Sequence, residues 1–440
     1  MNNRLWLLLL LWGAVTPLHA QLQFQTIEDV LSYADDHAIA IQHAKIGEKM
    51  ALAGKKEAQG YLLPSVSASA GYNDNITLQP SLVPAQIFNP GAAEGEVEEL
   101  TFGRRYSYSV GLQAQWDILN FQKMFAAQIA TIQVDESKVY TATTRFNTYN
   151  ALASLYYSIV LTQEALQIYE ENVKTSQAIL VQAKEKYGQG LLNEGDLNLA
   201  EIKVRQDQQV LDQTQNNLDQ FYVQLQTQLN TSTNIQILDA PDRFLLETTE
   251  IHNPHIEVAL QQASVQKYES ILRQKKAAYY PSLNLYYQNN VNWAGDNFLN
   301  FSDVNQLPQQ IFGLQLNVPI FKGLSTRQSV RQSEWELDLQ QQQLANVQLV
   351  KQKEDELLQL QWAQASAQLR GSKEILALQE ASDVHVENRY QSGIIGLDER
   401  LNKYNDLLKV QDQYLQSLAS LTLSQYKIYI RQIDFQSENR

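Results

Sequence analysis

The chain has 440 residues, of which 44% are hydrophobic and 19% are charged, and its formal net charge is −14. It contains no cysteine, which excludes disulfides, cysteine-ligated metal sites and a cysteine-linked lipid anchor. The acidic balance argues against nucleic acid as a partner. None of the ten prolines lies between Pro90 and Pro241 or after Pro319, and such tracts favour long helices over a loop-rich enzyme.

The N-terminus has the three parts of an export signal. Arg4 precedes an apolar run from Leu5 to Trp12, and Ala20 is a small residue suited to cleavage. We therefore predict a signal peptide over residues 1–20, rather than a buried first helix, and an exported mature chain. No later stretch reaches the roughly 18 apolar residues of a transmembrane helix.

Four segments alternate between apolar residues and small or polar residues. They are residues 65–72, 107–116, 282–288 and 312–318. A period of two predicts strands with one apolar face. The pattern fits either an ordinary half-buried sheet or membrane-barrel strands of about ten residues each, with lipid on one side and water on the other.

Two tracts of 67 residues predict very long helices. Residues 121–187 contain neither Gly nor Pro, and residues 324–390 contain only Gly371 as a helix breaker. At 1.5 Å per residue each helix would be about 100 Å long, so other helices must pack along it. The partner helices carry apolar residues spaced by seven, which is typical of helices that wind about their neighbours. These residues are Val204, Leu211, Leu218 and Leu225, and then Leu407, Tyr414, Leu421 and Ile428.

The second half of the chain repeats landmarks of the first half in the same order. Three segments recur: Tyr61–Ser65 as Ala278–Ser282, Val110–Gln113 as Phe312–Gln315, and Lys186–Leu192 as Arg389–Ile395. We predict an internal duplication, with one repeat over residues 21–240 and the other over residues 241–440. Each repeat reads as helix, strand, loop, strand, very long helix, tight turn and helix.

One chain supplies too few strands for a membrane barrel. The unpaired edges of a sheet cannot face hydrocarbon, and a closed barrel needs about eight strands or more. Four candidate strands per chain therefore require several chains to share one barrel. Two copies would give eight strands and three would give twelve, and the strand count alone does not choose between them.

With these features, the sequence resembles the TolC family of outer-membrane efflux proteins. The resemblance is carried by Tyr61 to Tyr72, by Phe312 to Gly323, and by the two turn motifs that start at Tyr187 and Tyr390. It implies a mainly α-helical chain with a membrane β-barrel portion. Three chains would form a 12-stranded β-barrel, with four strands from each, which continues into a long coiled-coil α-helical barrel in the periplasm.

The resemblance also implies a location and a set of partners. A protein of this family is a homotrimeric channel in the outer membrane of a Gram-negative bacterium, surrounded by outer-membrane lipid. It serves as the passive exit duct of a tripartite efflux pump or a type I secretion system. Its partners are a periplasmic adaptor protein and an inner-membrane transporter of the resistance-nodulation-division or ABC type. We expect no enzyme activity, no cofactor and no metal.

The resemblance assigns roles at the two turns. The turn glycines of the two repeats are Gly190 and Gly393. Family members hold the periplasmic tip closed by contacts that involve a tyrosine matching Tyr390 and an aspartate matching Asp196, so a hydroxyl–carboxylate hydrogen bond is expected. Members can also ring the aperture with carboxylates, and Glu399 matches one such ring. A ring of three carboxylates would favour cations. Asp196 and Glu399 also suit a simpler role, as acids that stabilise a helix start.

This sequence departs from the family pattern at two turn positions. Ile395 stands where well-known members have an arginine, which puts a charged clamp in doubt, and Asn402 stands where a second ring of acids would be.

The turns at residues 188–195 and 391–398 are the predicted docking site for the adaptor. They carry Leu191, Leu192, Ile394 and Ile395, and exposed apolar residues at a turn favour a protein partner. The alternative is that these four side chains pack against the neighbouring turn.

Two other segments have simple structural interpretations. In the sequence His252-Asn253-Pro254-His255, we expect Asn253 to cap a helix that starts at Pro254, in preference to a metal site. The acidic run from Glu94 to Glu99 is predicted to lie in a solvated loop between the first two strands.

Three other functions compete with the channel. A periplasmic coiled-coil scaffold or adhesin would account for the seven-residue spacing but not for four alternating strands. An envelope enzyme acting on polysaccharide would need converging acids or a nucleophile, and no such grouping has a recognisable spacing. A third alternative keeps the channel but makes its cargo a protein or a glycan instead of small toxic compounds.

Overall fold

The computed structural model describes residues 21–239, 251, 253–299 and 305–435. The predicted signal peptide, the repeat boundary at residues 240 and 241, and His252 lie outside the described residues. The chain divides into two compact units. Of the described residues, the helical unit comprises 21–49, 136–239, 251, 253–263 and 342–435, and the sheet unit comprises 50–135, 264–299 and 305–341.

Helices account for most of the described chain. Their bounds are α1 Ile27–His37, α2 Ile39–Gly60, α3 Phe121–Gly188, α4 Glu194–Gln228, α5 Ile256–Lys276, α6 Ser325–Gln391 and α7 Leu397–Gln432. The strands are β1 Leu22–Phe24, β2 Ser65–Asp74, β3 Pro80–Pro84, β4 Val97–Thr101, β5 Tyr106–Leu119, β6 Ile235–Ile237, β7 Ser282–Gly295 and β8 Asn305–Asn317.

The sheet unit contains the four predicted strands as one antiparallel sheet in the order β2-β5-β7-β8. Three of the predicted segments lie within these strands and the fourth, residues 312–318, runs one residue past the end of β8, so the alternation identified all four strands. The central pair joins the two halves of the chain, with Val110 of β5 opposite Val291 of β7. In the part of the chain that the structure describes, the sheet is open, and β2 and β8 are its two edges.

The two faces of this sheet differ in chemistry, because residues directly opposite one another share a face and successive residues alternate between faces. One row across the strands is apolar and contains Val66, Ala114, Tyr287 and Phe312. The next row is polar at its first three positions and contains Ser67, Gln113, Gln288 and Ile311. The rows define an apolar face and a polar face, and these two names are kept below.

The segment between β2 and β5 is more ordered than the sequence predicted. It contains the hairpin of β3 and β4, in which Leu82 is opposite Glu99 and Val83 is opposite Glu98. Residues Val97 to Glu99 are exposed, as expected for the acidic run, but the prediction of a loop is wrong for these three residues, which belong to β4. The cause is that consecutive acids interrupt the alternation that marks a strand.

The structure confirms the two long helices. Helix α3 has 68 residues and α6 has 67, in agreement with the two tracts that lack helix breakers. The eight residues spaced by seven on α4 and α7 are all buried or half-buried, from Val204 to Leu225 and from Leu407 to Ile428. Each of these helices therefore presents one continuous apolar stripe to its neighbours.

A large core in the helical unit packs residues near both ends of the described chain against α3. It includes Phe24 and Phe435 together with Leu152 and Tyr156, which are fully buried. The short strands β1 and β6 pair in parallel at this core. The unit therefore depends on chain segments that are distant in sequence.

The start of α5 corrects the predicted cap. The helix begins at Ile256, and His255 caps it, because the backbone N–H of Glu257 donates to Nδ1 of His255 at 3.2 Å. Asn253 instead donates from its side chain to the backbone oxygen of Gln432 at 2.8 Å. The sequence did not indicate this arrangement because imidazole is an uncommon capping group.

No helix among the described residues combines the length and the apolar character needed to cross a membrane.

Candidate functional site at the two helix turns

The turns that join α3 to α4 and α6 to α7 have the same backbone geometry. Gly190 has a φ of 74° and Gly393 has a φ of 75°, which is the left-handed region that favours glycine. After each glycine, a backbone N–H reaches back five residues: from Leu191 to the oxygen of Lys186, and from Ile394 to the oxygen of Arg389, both at 2.9 Å. Both long helices therefore end in a Schellman motif.

The helices that follow the turns begin differently. Asn193 caps α4, and its side chain accepts from the backbone of Asp196 at 3.0 Å, while the carboxylate of Asp196 accepts from the backbone of Asn193 at 3.4 Å. The cap position of α7 is Gly396, which has no side chain to offer. Within the chain, the carboxylate of Asp196 thus stabilises the start of a helix, the simpler of its two predicted roles.

Only two of the four apolar residues predicted for adaptor docking are exposed. Leu191 and Ile394, which directly follow the left-handed glycines, are each 68% exposed. Ile395 is only 6% exposed and belongs to a second hydrophobic core, which lies between the helix ends beside the turns, and Leu192 is half-buried against this core. The expectation that all four are exposed is therefore wrong for Leu192 and Ile395, because the second apolar residue of each turn packs back between the helix ends.

Tyr390 is buried in this core, with 1% of its surface exposed. The ammonium of Lys186 lies 3.7 Å from the centre of its ring and donates to its backbone oxygen at 2.6 Å. Burial raises the pKa of the Tyr390 hydroxyl, and the nearby charge of Asp196 adds to the rise. Burial likewise lowers the pKa of Lys186.

The hydroxyl of Tyr390 makes no hydrogen bond within the described chain. The predicted bond from Tyr390 to Asp196 is therefore absent from a single chain, where Asp196 serves as part of the α4 cap. A buried hydroxyl without a partner is costly, so a rearrangement of the turn that gives this hydroxyl an acceptor is favoured.

Glu399 lies on the first turn of α7, with about half of its side chain exposed. A guanidinium nitrogen of Arg389 is 3.8 Å from its carboxylate. An exposed pair of this kind contributes about 0–1 kcal/mol, so Arg389 offsets the charge of Glu399 without fixing it in place.

A buried ion pair beside the second turn was not predicted from the sequence. Arg400 is only 1% exposed and donates two hydrogen bonds to Asp383, at 2.6 and 3.1 Å. Asp383 belongs to α6 and Arg400 to α7, so the pair ties together the two helices that the turn connects. One signal was available: Arg400 lies seven residues before Leu407, on the apolar stripe of α7.

A second buried polar group connects the two helix pairs. The hydroxyl of Tyr404, on α7, donates to the backbone oxygen of Asn172 on α3 at 2.7 Å. It also lies 3.2 Å from the carboxylate of Asp207 on α4, which Lys203 contacts at 2.7 Å. Burial raises the pKa of Tyr404, and the adjacent Asp207 adds to the rise. This group therefore connects α7 to both α3 and α4.

The fold is that of known outer-membrane channels. The outer membrane protein VceC of Vibrio cholerae has a TM-score of 0.73 and 14% identity, over 93% of this chain and 97% of that chain. The CmeC outer membrane channel of Campylobacter jejuni has a TM-score of 0.68 and 16% identity, over 94% and 88%. The MtrE outer membrane channel of Neisseria gonorrhoeae, in its open state, has a TM-score of 0.67 and 17% identity, over 92% and 88%. At these identities the similarity shows the fold.

The sequence profile of the family described as outer membrane efflux protein matches residues 30–231 and 245–429. The chain therefore belongs to the outer membrane efflux protein family, whose members are TolC-like channels, and the resemblance seen in the sequence is confirmed. A search of curated proteins gives no match to this chain.

Proposed function

We propose that three copies of this chain form the passive exit duct of a tripartite efflux pump or secretion system, in the outer membrane of a Gram-negative bacterium. The observation that carries the proposal is the open sheet with two chemically distinct faces. Among the described residues, edges β2 and β8 have no neighbour on their outer sides, and such edges cannot face lipid.

Pairing β8 of one copy with β2 of the next would satisfy both edges and close a ring. The apolar face would then contact lipid and the polar face would line a water-filled lumen. Family membership favours three copies, and thus twelve strands, over the two that strand number alone also permits. The two-faced sheet also disfavours a periplasmic scaffold or adhesin, which has no need of a continuous apolar face on its strands.

The helix turns are the proposed site of gating and docking. We assign adaptor contact to the exposed pair Leu191 and Ile394, which remains after the other two predicted residues proved to be packed. We assign the closed state of the tip to a hydrogen bond from Tyr390, whose hydroxyl is buried without a partner here, to Asp196, whose charge lies near it. The adaptor would act by favouring a second arrangement of the tip. The duplication at residues 21–240 and 241–440 is supported by the matching geometry of Gly190 and Gly393.

The test uses the absence of native cysteine. Variants with one cysteine in β2 and one in β8 are oxidised in the membrane, over a scan of positions at the same level of the sheet. We expect dimer and trimer bands in denaturing gels for pairs in register, and a species that co-migrates with a closed trimer. A matched pair with one cysteine in β5 and one in β7 should crosslink only within the chain.

A second measurement addresses assembly directly. Purified protein in detergent should be a trimer by light scattering, and it should conduct ions in a planar bilayer. A monodisperse monomer that is stable without detergent would contradict the proposal.

A further inference from the structure

Two glycines in the sheet occupy equivalent positions in the two sequence repeats, and each is covered by a side chain of β7. Asn290 lies over Gly111 of β5, and Tyr286 lies over Gly313 of β8. A Cβ atom on Gly313 would lie 2.5 Å from Cζ of Tyr286, 2.6 Å from its hydroxyl oxygen and 2.7 Å from Cε1. Any residue other than glycine would therefore displace the ring.

These contacts fix the orientation of the Tyr286 ring. Three atoms of the phenol approach the same point above Gly313, so the ring lies across the backbone of β8 instead of standing away from the sheet. Tyr286 is half-buried, which leaves part of the ring accessible. A ring held flat on a wall offers its negative π face to a ligand, and C–H groups with a partial positive charge stack on such a face.

The surroundings of Tyr286 on the polar face carry hydrogen-bonding groups without net charge. Gln115 of β5 is directly opposite, and Gln288 is the next residue of β7 on this face. The four strands contain two acidic residues and no basic residue. Of the two acids, Asp117 is on the polar face, and the ammonium of Lys123 lies 2.5 Å from its carboxylate. The amides can both donate and accept hydrogen bonds.

The geometry points to Tyr286 as a stacking platform for a neutral, hydroxyl-rich ring, namely a hexose unit of an oligosaccharide that enters the lumen. This inference rests on the proposed function, because the polar face lines a lumen only when several chains close the β-barrel. A pyranose presents C–H groups to the ring and hydroxyl groups to the amides, so it uses both features. An aromatic cation would use the ring but would find no unpaired acid on the described part of this face.

The experiment measures binding of maltohexaose to the purified trimer in an amine-oxide detergent, which contains no sugar, by saturation-transfer difference NMR. We expect transfer to the sugar protons in the wild type. Tyr286→Leu should weaken the apparent affinity about 3- to 10-fold, the range for loss of an aromatic stacking contact. Tyr286→Phe should stay within about 2-fold of the wild type, because the ring and not the hydroxyl makes the stack.

The matched control is Tyr287→Leu, since Tyr287 is the adjacent residue of β7 on the apolar face. It should bind maltohexaose like the wild type. Gly313→Ala should lift the ring and weaken binding as Tyr286→Leu does, and the Tyr286 variants keep the test valid if Gly313→Ala does not fold.

Three results would overturn the inference: no transfer to maltohexaose in the wild type, equal affinity in Tyr286→Leu, or tighter Tyr286-dependent binding of ethidium than of the sugar. Light scattering and ion conductance on the same preparations test the proposed function separately. A conducting trimer that does not bind maltohexaose would refute only the inference about Tyr286. A protein that does not trimerise would refute the proposed function.

Discussion

Arg400 and Asp383 form a buried ion pair between α7 and α6. A buried guanidinium is stable only while its partner is present, because the free-energy cost of desolvating an unpaired charge exceeds the stabilisation from its other contacts. The bidentate geometry satisfies both carboxylate oxygens of Asp383. The pair therefore fixes the register of α6 against α7 more than it adds net stability.

We predict that Arg400→Met destabilises the protein by about 3–5 kcal/mol, because it leaves the carboxylate of Asp383 buried without a partner. The double variant Arg400→Met with Asp383→Leu should recover most of this loss. The measurement is chemical unfolding followed by circular dichroism. The exposed Lys403 is the control, since Lys403→Met should cost less than about 1 kcal/mol. A double variant as unstable as the sum of its single changes would contradict the account.

At the scale of elements, each helix turn separates an exposed apolar residue from a packed one. Leu191 and Ile394 face solvent, whereas Leu192 and Ile395 belong to the core between the helices. The two pairs should therefore respond differently to the same change.

We predict that Leu191→Ser with Ile394→Ser abolishes photocrosslinking to the periplasmic adaptor and leaves the free energy of unfolding within about 0.5 kcal/mol of the wild type. The matched variant, Leu192→Ser with Ile395→Ser, should lose about 2–5 kcal/mol through the packed core. The crosslinker is placed at Ser392, an exposed residue of the second turn that neither variant changes. Wild-type crosslinking by the first variant would remove the docking assignment.

The cap of α5 makes stability depend on pH. Nδ1 of His255 must be unprotonated to accept from Glu257, and burial, Arg431 and Lys351 lower the pKa of His255 below its ordinary value, against the smaller opposite effects of Glu257 and Asp355. A histidine whose pKa is lower in the folded state binds fewer protons folded than unfolded. Its contribution is complete above the unfolded pKa of about 6.5 and is lost as the pH falls from there to the folded pKa.

We predict that the free energy of unfolding falls between pH 7.5 and pH 5, and that His255→Asn flattens this decline, because asparagine keeps a capping oxygen without titrating. At pH 7.5 the variant should stay within about 1 kcal/mol of the wild type. Chemical unfolding at several pH values makes the comparison. Identical pH dependence in both proteins would exclude His255 as the titrating group.

At the scale of the whole molecule, the assembled duct would combine a sheet almost without charge and helix turns that carry opposed charges. The four strands hold only Asp74 and Asp117, and both lie beside basic residues, at 3.0 and 2.5 Å respectively. Charge selectivity should therefore arise at the turns, where Glu399 faces Arg389.

We predict that Glu399→Gln lowers the cation preference of the channel and that Arg389→Gln raises it, because each removes one half of an exposed pair of opposite charges. The reversal potential under a salt gradient in a planar bilayer reports both. Unchanged selectivity in Glu399→Gln would remove the proposed ring of carboxylates.

Much of this fold follows from local patterns in the sequence. The strands were predictable because alternation is a property of neighbouring residues, and the long helices because Gly and Pro are missing from residues 121–187. The burial of Leu192 was not predictable, because it depends on how the chain returns after Gly190. The contact between Arg400 and Asp383 likewise requires two helices to come together across a turn, which no local period encodes.

The sheet order has a consequence for biogenesis. Its middle pair places Val110 of β5 opposite Val291 of β7, so β5 cannot pair until the second half of the chain has been synthesised. Contacts between such distant segments form slowly, and until they form the unpaired strand edges are exposed and prone to aggregation. We therefore expect newly secreted chains to need a periplasmic chaperone and to be degraded by proteases when that chaperone is missing.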